Sequence, residues 1–275
     1  MRQSAACNIA HPSFYSLLSS TSITSYGGDT IHRFFVASTD IQNNIVTLTG
    51  DNAAHGAVLR LRLGEAIVAC CPSGVDHYSR VVSAGKNEIQ AEITHSAPNA
   101  AEPPVFITLY QALPKGDKMG EIVEKCVELG VSAVVPVVTA RCVARPADSG
   151  NKAARWRRIA ESAAKQSGRG LIPSVSDPIA LVDAFALAKA HDSAFVCLET
   201  EDKFSMKDFA KSLSASVRSI GLFVGPEGGF DDKEAALFAT QAIRAVTLGR
   251  RILRTETAAA AAIAIILYEL EGSLL

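Results

Sequence analysis

Gly225-Pro226-Glu227-Gly228-Gly229 and Leu248-Gly249-Arg250-Arg251-Ile252-Leu253-Arg254-Thr255-Glu256-Thr257-Ala258 decide how this 275-residue chain is read. Each segment meets an apolar run with the character of a buried strand, residues 220–224 before the first and 245–248 leading into the second. Loops outside the carboxyl ends of parallel strands meet in one crevice, so two such glycine-bearing loops form a cradle for a small ligand. Gly225, Gly228 and Gly229 are free to take positive φ, which lets backbone N–H groups face a ligand with no Cβ in the way. The second segment sets Arg254 and Glu256 immediately before an alanine-rich helix.

Working back from these loops, the chain alternates strand and helix. Residues 105–112 read as a strand. Residues 118–129 read as a helix, with Met119, Ile122, Val123, Cys126 and Val127 on one face and Gly130 as its stop. Strands are expected at 131–138, 194–198, 220–224 and 245–248, and helices at 152–167 and 257–270. Asp231 with Glu234 offers a capping box for a further helix to about Gln241. This alternation implies an α/β domain over 105–275, a parallel sheet with helices on both faces.

Upstream the signals change. Short runs rich in β-branched or aromatic residues at 33–36, 45–48, 66–70, 78–82 and 88–93 are punctuated by Gly50, Gly64, Gly74 and Gly85, and indicate a small β-barrel over 31–96. Residues 97–104, with three prolines and no apolar periodicity, read as a linker. Residues 1–30 differ from everything after them: eight of the fifteen from His11 to Ser25 are Ser or Thr. With Arg2 the only basic residue there they make a poor transit peptide, and a flexible extension is expected.

Apolar content of 48% and 20% charge belong to a globular chain. No apolar stretch approaches a membrane span, so no membrane partner is expected. Six cysteines lack CxxC spacing and do not cluster with histidine, which points to reduced thiols, a cytoplasmic setting and no metal. Phosphate-loop, HExxH, GxSxG and GxGxxG patterns are all absent. His32, His55, His77 and His95 fall in the barrel and read as surface or structural residues. Net charge is −1, yet residues 141–170 hold eight basic residues against Asp148 and Glu161, and Arg244, Arg250, Arg251 and Arg254 gather beside the second loop. Such local excess suits a polyanionic partner. Trp156, set among Arg155, Arg157 and Arg158, reads as packing for its helix more readily than as a platform for a base.

Together with Lys115-Gly116-Asp117-Lys118-Met119, Glu128-Leu129-Gly130-Val131 and Gln166-Ser167-Gly168-Arg169, the two loops resemble the RsmE family of ribosomal RNA methyltransferases. That family belongs to the knotted SPOUT class, and its members methylate N3 of one uridine in 16S ribosomal RNA with S-adenosylmethionine. The likeness runs from about residue 31 onward, and His32-Arg33-Phe34-Phe35-Val36 is similar to the family's opening. It implies a trefoil knot in the C-terminal domain, a rare exception to unknotted connectivity. It also implies a PUA-like N-terminal barrel that holds RNA, a cofactor bent into the knot, and a homodimer acting on the small ribosomal subunit. Carried over by motif, Leu198, Glu199, Gly225, Pro226, Glu227, Gly228, Gly229, Leu248, Gly249, Ile252, Leu253, Arg254 and Thr257 would line the cofactor. Arg33, Arg60, Lys115, Lys118, Arg141 and Arg169 would meet RNA. The sequence departs from the family where Ala57 and Gly120 stand in place of a frequent basic and a frequent acidic residue.

The implied reaction needs N3 of uracil deprotonated, and a cation nearby favours the anion. Arg254 is the candidate, with Glu256 either orienting it or acting as base. Methylation of another RNA base, and a non-catalytic assembly factor with a degenerate site, are the alternatives left open by the residues.

Overall fold

The computed structural model describes residues 31–142 and 149–271. The expected extension over 1–30 and two members of the charged stretch, Arg145 and Asp148, lie outside them. The described chain separates into two compact units with the boundary between Ala100 and Ala101.

The first unit holds β1 (His32–Phe35), β2 (Ile41–Gln42), β3 (Ile45–Thr49), α1 (Gly50–Val58), β4 (Ala66–Cys70), β5 (Val75–Ala84) and β6 (Glu88–Pro98). Its six strands pair in the order β1-β4-β5-β6-β3-β2, antiparallel except for the parallel β1–β4 ladder. Alternate residues of each strand turn inward, so Phe34, Val46, Leu48, Ile67, Ala69, Val81, Ile89 and Ala91 close one apolar core. β6 runs to Pro98, beyond the expected end at 93 and into the stretch read as linker. It does so because Ser96, Ala97 and Pro98 continue the ladder against His77, Asp76 and Val75. Helix α1 was not expected: Gly50 looks like turn punctuation, and it does adopt a left-handed φ of 54° at the first helical position.

The second unit follows the predicted alternation. It contains β7 (Phe106–Ala112), α2 (Lys118–Glu128), β8 (Ala133–Val138), α3 (Ser149–Gln166), β9 (Ser174–Val175), β10 (Ile179–Ala180), α4 (Leu181–Ala188), β11 (Ser193–Cys197), α5 (Met206–Ser212), β12 (Ser219–Val224), α6 (Asp232–Thr240), β13 (Arg244–Val246) and α7 (Thr255–Glu271). Every ladder is parallel, in the order β10-β8-β7-β12-β11-β13 with β9 also on β8. β12 is buried at all six positions, as a strand covered on both faces must be. On one face Tyr110, Val137, Val196 and Phe223 meet Phe185 of α4 and Phe238 of α6. On the other, Phe195 packs on Phe209 of α5, and Gln111 reaches the start of α7. Helices α2 and α3 pack together closely: a Cβ on Gly120 would sit 3.0 Å from Ile159 Cδ1, which accounts for the small residue there. Trp156 is buried in α3 and serves that packing. Asp231 and Glu234 form the expected capping box of α6.

The strand order fixes where a ligand goes. From β7 the chain moves to β8 on one side, while β12, β11 and β13 lie on the other. The crevice of such a sheet opens outside the carboxyl ends at this reversal, where the loops after β7, β12, β11 and β13 emerge.

Candidate functional site

Four loops are tied together at the carboxyl edge of the second sheet. At the end of β7, the buried Gln111 donates from Nε2 to Thr255 Oγ1 at 2.8 Å, and Thr255 Oγ1 donates to the carbonyl of Gly225 at 2.6 Å. This three-member chain pins the first turn of α7 between the ends of β7 and β12. Leu198, after β11, donates its N–H to Val246, and Thr247 exchanges backbone bonds with Phe204 and Met206. The loop after β12 closes with Gly229 N–H on Pro226 O at 2.9 Å. Gly229 sits at φ 67° and Gly249 at φ 109°, conformations that side chains with a Cβ rarely adopt. Gly225 is small for another reason: a Cβ there would lie 3.2 Å from Gly229 Cα.

Charge is concentrated at the meeting of α2, the first glycine loop and α7. Lys118 Nζ lies 3.0 Å from Glu227 Oε1 and 3.6 Å from Glu256 Oε2. Lys115 adds its backbone N–H to both oxygens of Glu227. The hydrogen bond to Glu227 raises the Lys118 pKa, with the charges of Glu227 and Glu256 adding to it against partial desolvation. For Glu227, desolvation pushes upward, but backbone N–H groups and Lys118 outweigh it and hold the carboxyl below its ordinary range. Glu256 is 8% exposed, and its Oε2 accepts no hydrogen bond. A buried carboxylate oxygen in that condition is costly unless it serves the site.

Residues 101–267 match the RNA methyltransferase domain family. The chain is 30% identical to ribosomal RNA small subunit methyltransferase E of Bacillus subtilis, over 88% of this chain and 98% of that one. It is 33% identical to the protein of the same name from Synechocystis, over 85% and 76%. Among solved structures, ribosomal RNA small subunit methyltransferase E of Neisseria gonorrhoeae bound to S-adenosyl methionine superposes with a TM-score of 0.74 at 33% identity, covering 85% and 95%. The chain belongs to the ribosomal RNA small subunit methyltransferase E family.

In this family member the expected ligand-lining residues gather in two groups. Gly225, Pro226, Glu227, Gly228 and Gly229 form the loop after β12. Leu248, Gly249, Ile252, Leu253, Arg254 and Thr257 form the loop after β13 and the start of α7. Leu198 and Glu199 follow β11, where Leu198 bonds to Val246 beside the second group. Ile252 is 81% exposed, an apolar side chain standing free at the crevice loop.

The cationic residues divide. Arg60, Lys115 and Arg141 are exposed, although Arg141 donates to Gly228 O at 2.7 Å and so also braces the first loop. Arg169, expected to meet RNA, is corrected to a structural residue. It is 2% exposed, pairs with Glu102 at 2.7 Å and donates to the carbonyls of Val127 and Val131. Arg33 is partly exposed, and its guanidinium pairs with the buried Asp76. The expected orientation of Arg254 by Glu256 is also not found: among the described residues Glu256 pairs with Lys118, and Arg254 is exposed. Gln111 and Thr255 were missed as site residues. A lone glutamine ending the apolar run 105–112 was the available signal.

Among the described residues no cluster of His, Cys, Asp and Glu is arranged to hold a metal ion, and no helix is long and apolar enough to cross a membrane. Cys70, Cys71, Cys126, Cys142 and Cys197 are unbridged.

Proposed function

We propose that this chain transfers a methyl group from S-adenosylmethionine to N3 of a uridine in 16S ribosomal RNA of the small subunit, in the cytoplasm. The observation behind this reading is the convergence of two glycine loops and the α7 start, fixed by the Gln111–Thr255–Gly225 chain, in a member of a family whose solved relative is bound to that donor. The residues fit the donor. Gly249 borders open space, Gly225 lets the first loop fold tightly on Gly229, and backbone groups of both loops suit the neutral hydrogen-bonding edges of adenine and ribose. Leu198, Leu248, Ile252 and Leu253 offer apolar surface for its rings.

When bound, S-adenosylmethionine supplies an electrophilic methyl group on a sulfonium sulfur. The protein's own residues align the base and manage the N3 proton. Arg254, exposed beside the second loop, places a positive charge where uracil anion develops. Glu256, in the first turn of α7 two residues from Arg254, is the proposed acceptor for the proton. Arg60, Lys115 and Arg141 are exposed cations available to meet phosphate.

The finer architecture belongs to the same proposal. The hydrogen bonds that hold the first turn of α7 to the ends of β7 and β12 support a trefoil knot, and the six-stranded first unit supports a PUA-like barrel over 31–96. Residues 105–275 would form the SPOUT domain. Along α7, Thr257, Ala260, Ala261, Ala264, Ile265 and Tyr268 recur at helical spacing on the less buried face. That stripe supports a homodimer. Calorimetry with S-adenosylmethionine, followed by mass mapping of small-subunit RNA from cells lacking the protein, tests the reading. Absence of donor binding, or an unchanged methylation map, would refute it.

A further inference from the structure

The geometry points to Lys118 as a positioning residue of the methyl-transfer site, an internal bridge instead of a contact to RNA. This inference rests on the function proposed above and assigns to Lys118 a role different from the one its sequence suggests. Three elements meet at its ammonium. Lys118 itself opens α2, Glu227 belongs to the loop after β12, and Glu256 stands in the first turn of α7. Those two carboxylates come from the two glycine loops that make the crevice. The ammonium is therefore the one group among the described residues that joins both loops by charge, as the Gln111–Thr255–Gly225 chain joins them by hydrogen bonds.

The burial of Glu256 gives the bridge its purpose. Its Oε2 is out of solvent and receives no hydrogen bond, and the nearest cation is Lys118 at 3.6 Å. A buried carboxylate left without a counter-charge turns toward water or drags its backbone with it. Here such movement would carry the first turn of α7, and with it Arg254 and Thr257, out of register with the first loop. Misplacement of about 1 Å at a reacting group costs roughly a hundredfold in rate. A phosphate contact behaves differently: its loss weakens RNA binding and lowers the salt slope by about 1, with little effect once RNA saturates the enzyme. Lys118 already has two acidic partners within 4 Å, so little of its charge remains for phosphate.

The test compares Lys118→Met, Lys118→Arg, Glu256→Gln and the Lys118→Met/Glu256→Gln double variant with the wild type, using small-subunit RNA. Donor affinity is read by calorimetry, RNA affinity by fluorescence anisotropy at several salt concentrations, and turnover at saturating RNA. Lys118→Met is expected to lower kcat tenfold to a hundredfold while RNA affinity and its salt slope stay within twofold. Lys118→Arg should recover most of the loss. In the Glu256→Gln background, where the proposed proton acceptor is itself gone, the coupling is read from the melting temperature, which Lys118→Met should lower by less than half of what it does alone, because the pair is already broken. A severalfold loss of RNA affinity with kcat intact overturns the inference, as do parallel losses in both, unchanged kcat, no recovery by arginine, or full additivity. Lys118 is one-third exposed, so the methionine variant should melt cooperatively. Lys118→Gln replaces it under the same criteria if it does not. A wild type that binds no donor or transfers no methyl group defeats the functional reading itself, a result separate from any variant's behaviour.

Discussion

Thr255→Val removes one hydroxyl and leaves the shape of the side chain almost unchanged, and it should destabilise the second unit more than most single substitutions. The hydroxyl accepts from Gln111 Nε2 at 2.8 Å and donates to Gly225 O at 2.6 Å, with Gln111 fully buried and Thr255 4% exposed. Each bond contributes about 1 kcal/mol net, and a group left buried without its partner costs about 1–3 kcal/mol. The amide of Gln111 keeps its bond to Ala112 O, which limits the loss on that side. The total comes to roughly 2–3 kcal/mol. For a unit of this size that corresponds to a fall in Tm of about 4–12 °C. Trp156 is the sole tryptophan and is buried in α3 of the second unit, so its fluorescence follows the transition of interest. Thr255→Ser keeps the hydroxyl and should stay within about 1.5 kcal/mol of the wild type. If valine melts within about 0.5 kcal/mol of threonine, the chain of bonds does not hold α7 in place.

Arg169→Met should lower the urea midpoint of the second unit by the equivalent of about 3–5 kcal/mol, since it leaves Glu102 without its partner, while RNA affinity of the folded fraction stays unchanged. Anisotropy beside the unfolding curve checks both halves of that statement. Arg254→Ala should abolish methylation while calorimetry still detects donor binding; unchanged turnover would remove Arg254 from the mechanism. The Lys118–Glu227 pair also predicts a pH window. Glu227, held below its ordinary 4.5, contributes stability that is present above that value and lost as pH falls through the folded pKa. Lys118, raised above 10.5, contributes stability present below that value and lost as pH rises through its folded pKa. Glu227→Gln should flatten both limbs of the Tm-against-pH curve, and a curve identical to the wild type would refute the pairing.

Strongly patterned elements were legible in the residues. The apolar face of α2, the buried runs of β7, β8 and β12, and the Asp231–Glu234 box all carry local signals that tertiary packing reinforces. Helix α4 was not legible, because Leu181-Val182-Asp183-Ala184-Phe185-Ala186-Leu187-Ala188 is apolar nearly all round and shows no periodic polar face. Helix α5 carries one local signal, the capping box formed by Ser205 and Asp208. Among the candidate site residues, the two glycine loops could be found because their spacing is local. The true partners of Arg169 and Glu256 could not, since Glu102 and Lys118 lie 67 and 138 residues away in sequence and are chosen by the fold. Charge counted along the chain does not distinguish a solvated arginine from one sealed against three acceptors.

The bond from Gln111 to Thr255 spans 144 residues. Threonine 255 is translated after every strand of both sheets, so the nascent polypeptide can lay down its strands and glycine turns while the crevice still lacks one wall. Contacts between residues so far apart in sequence form slowly. Until the final helix docks, the growing chain has no complete place for the donor, and its competence begins with that last event.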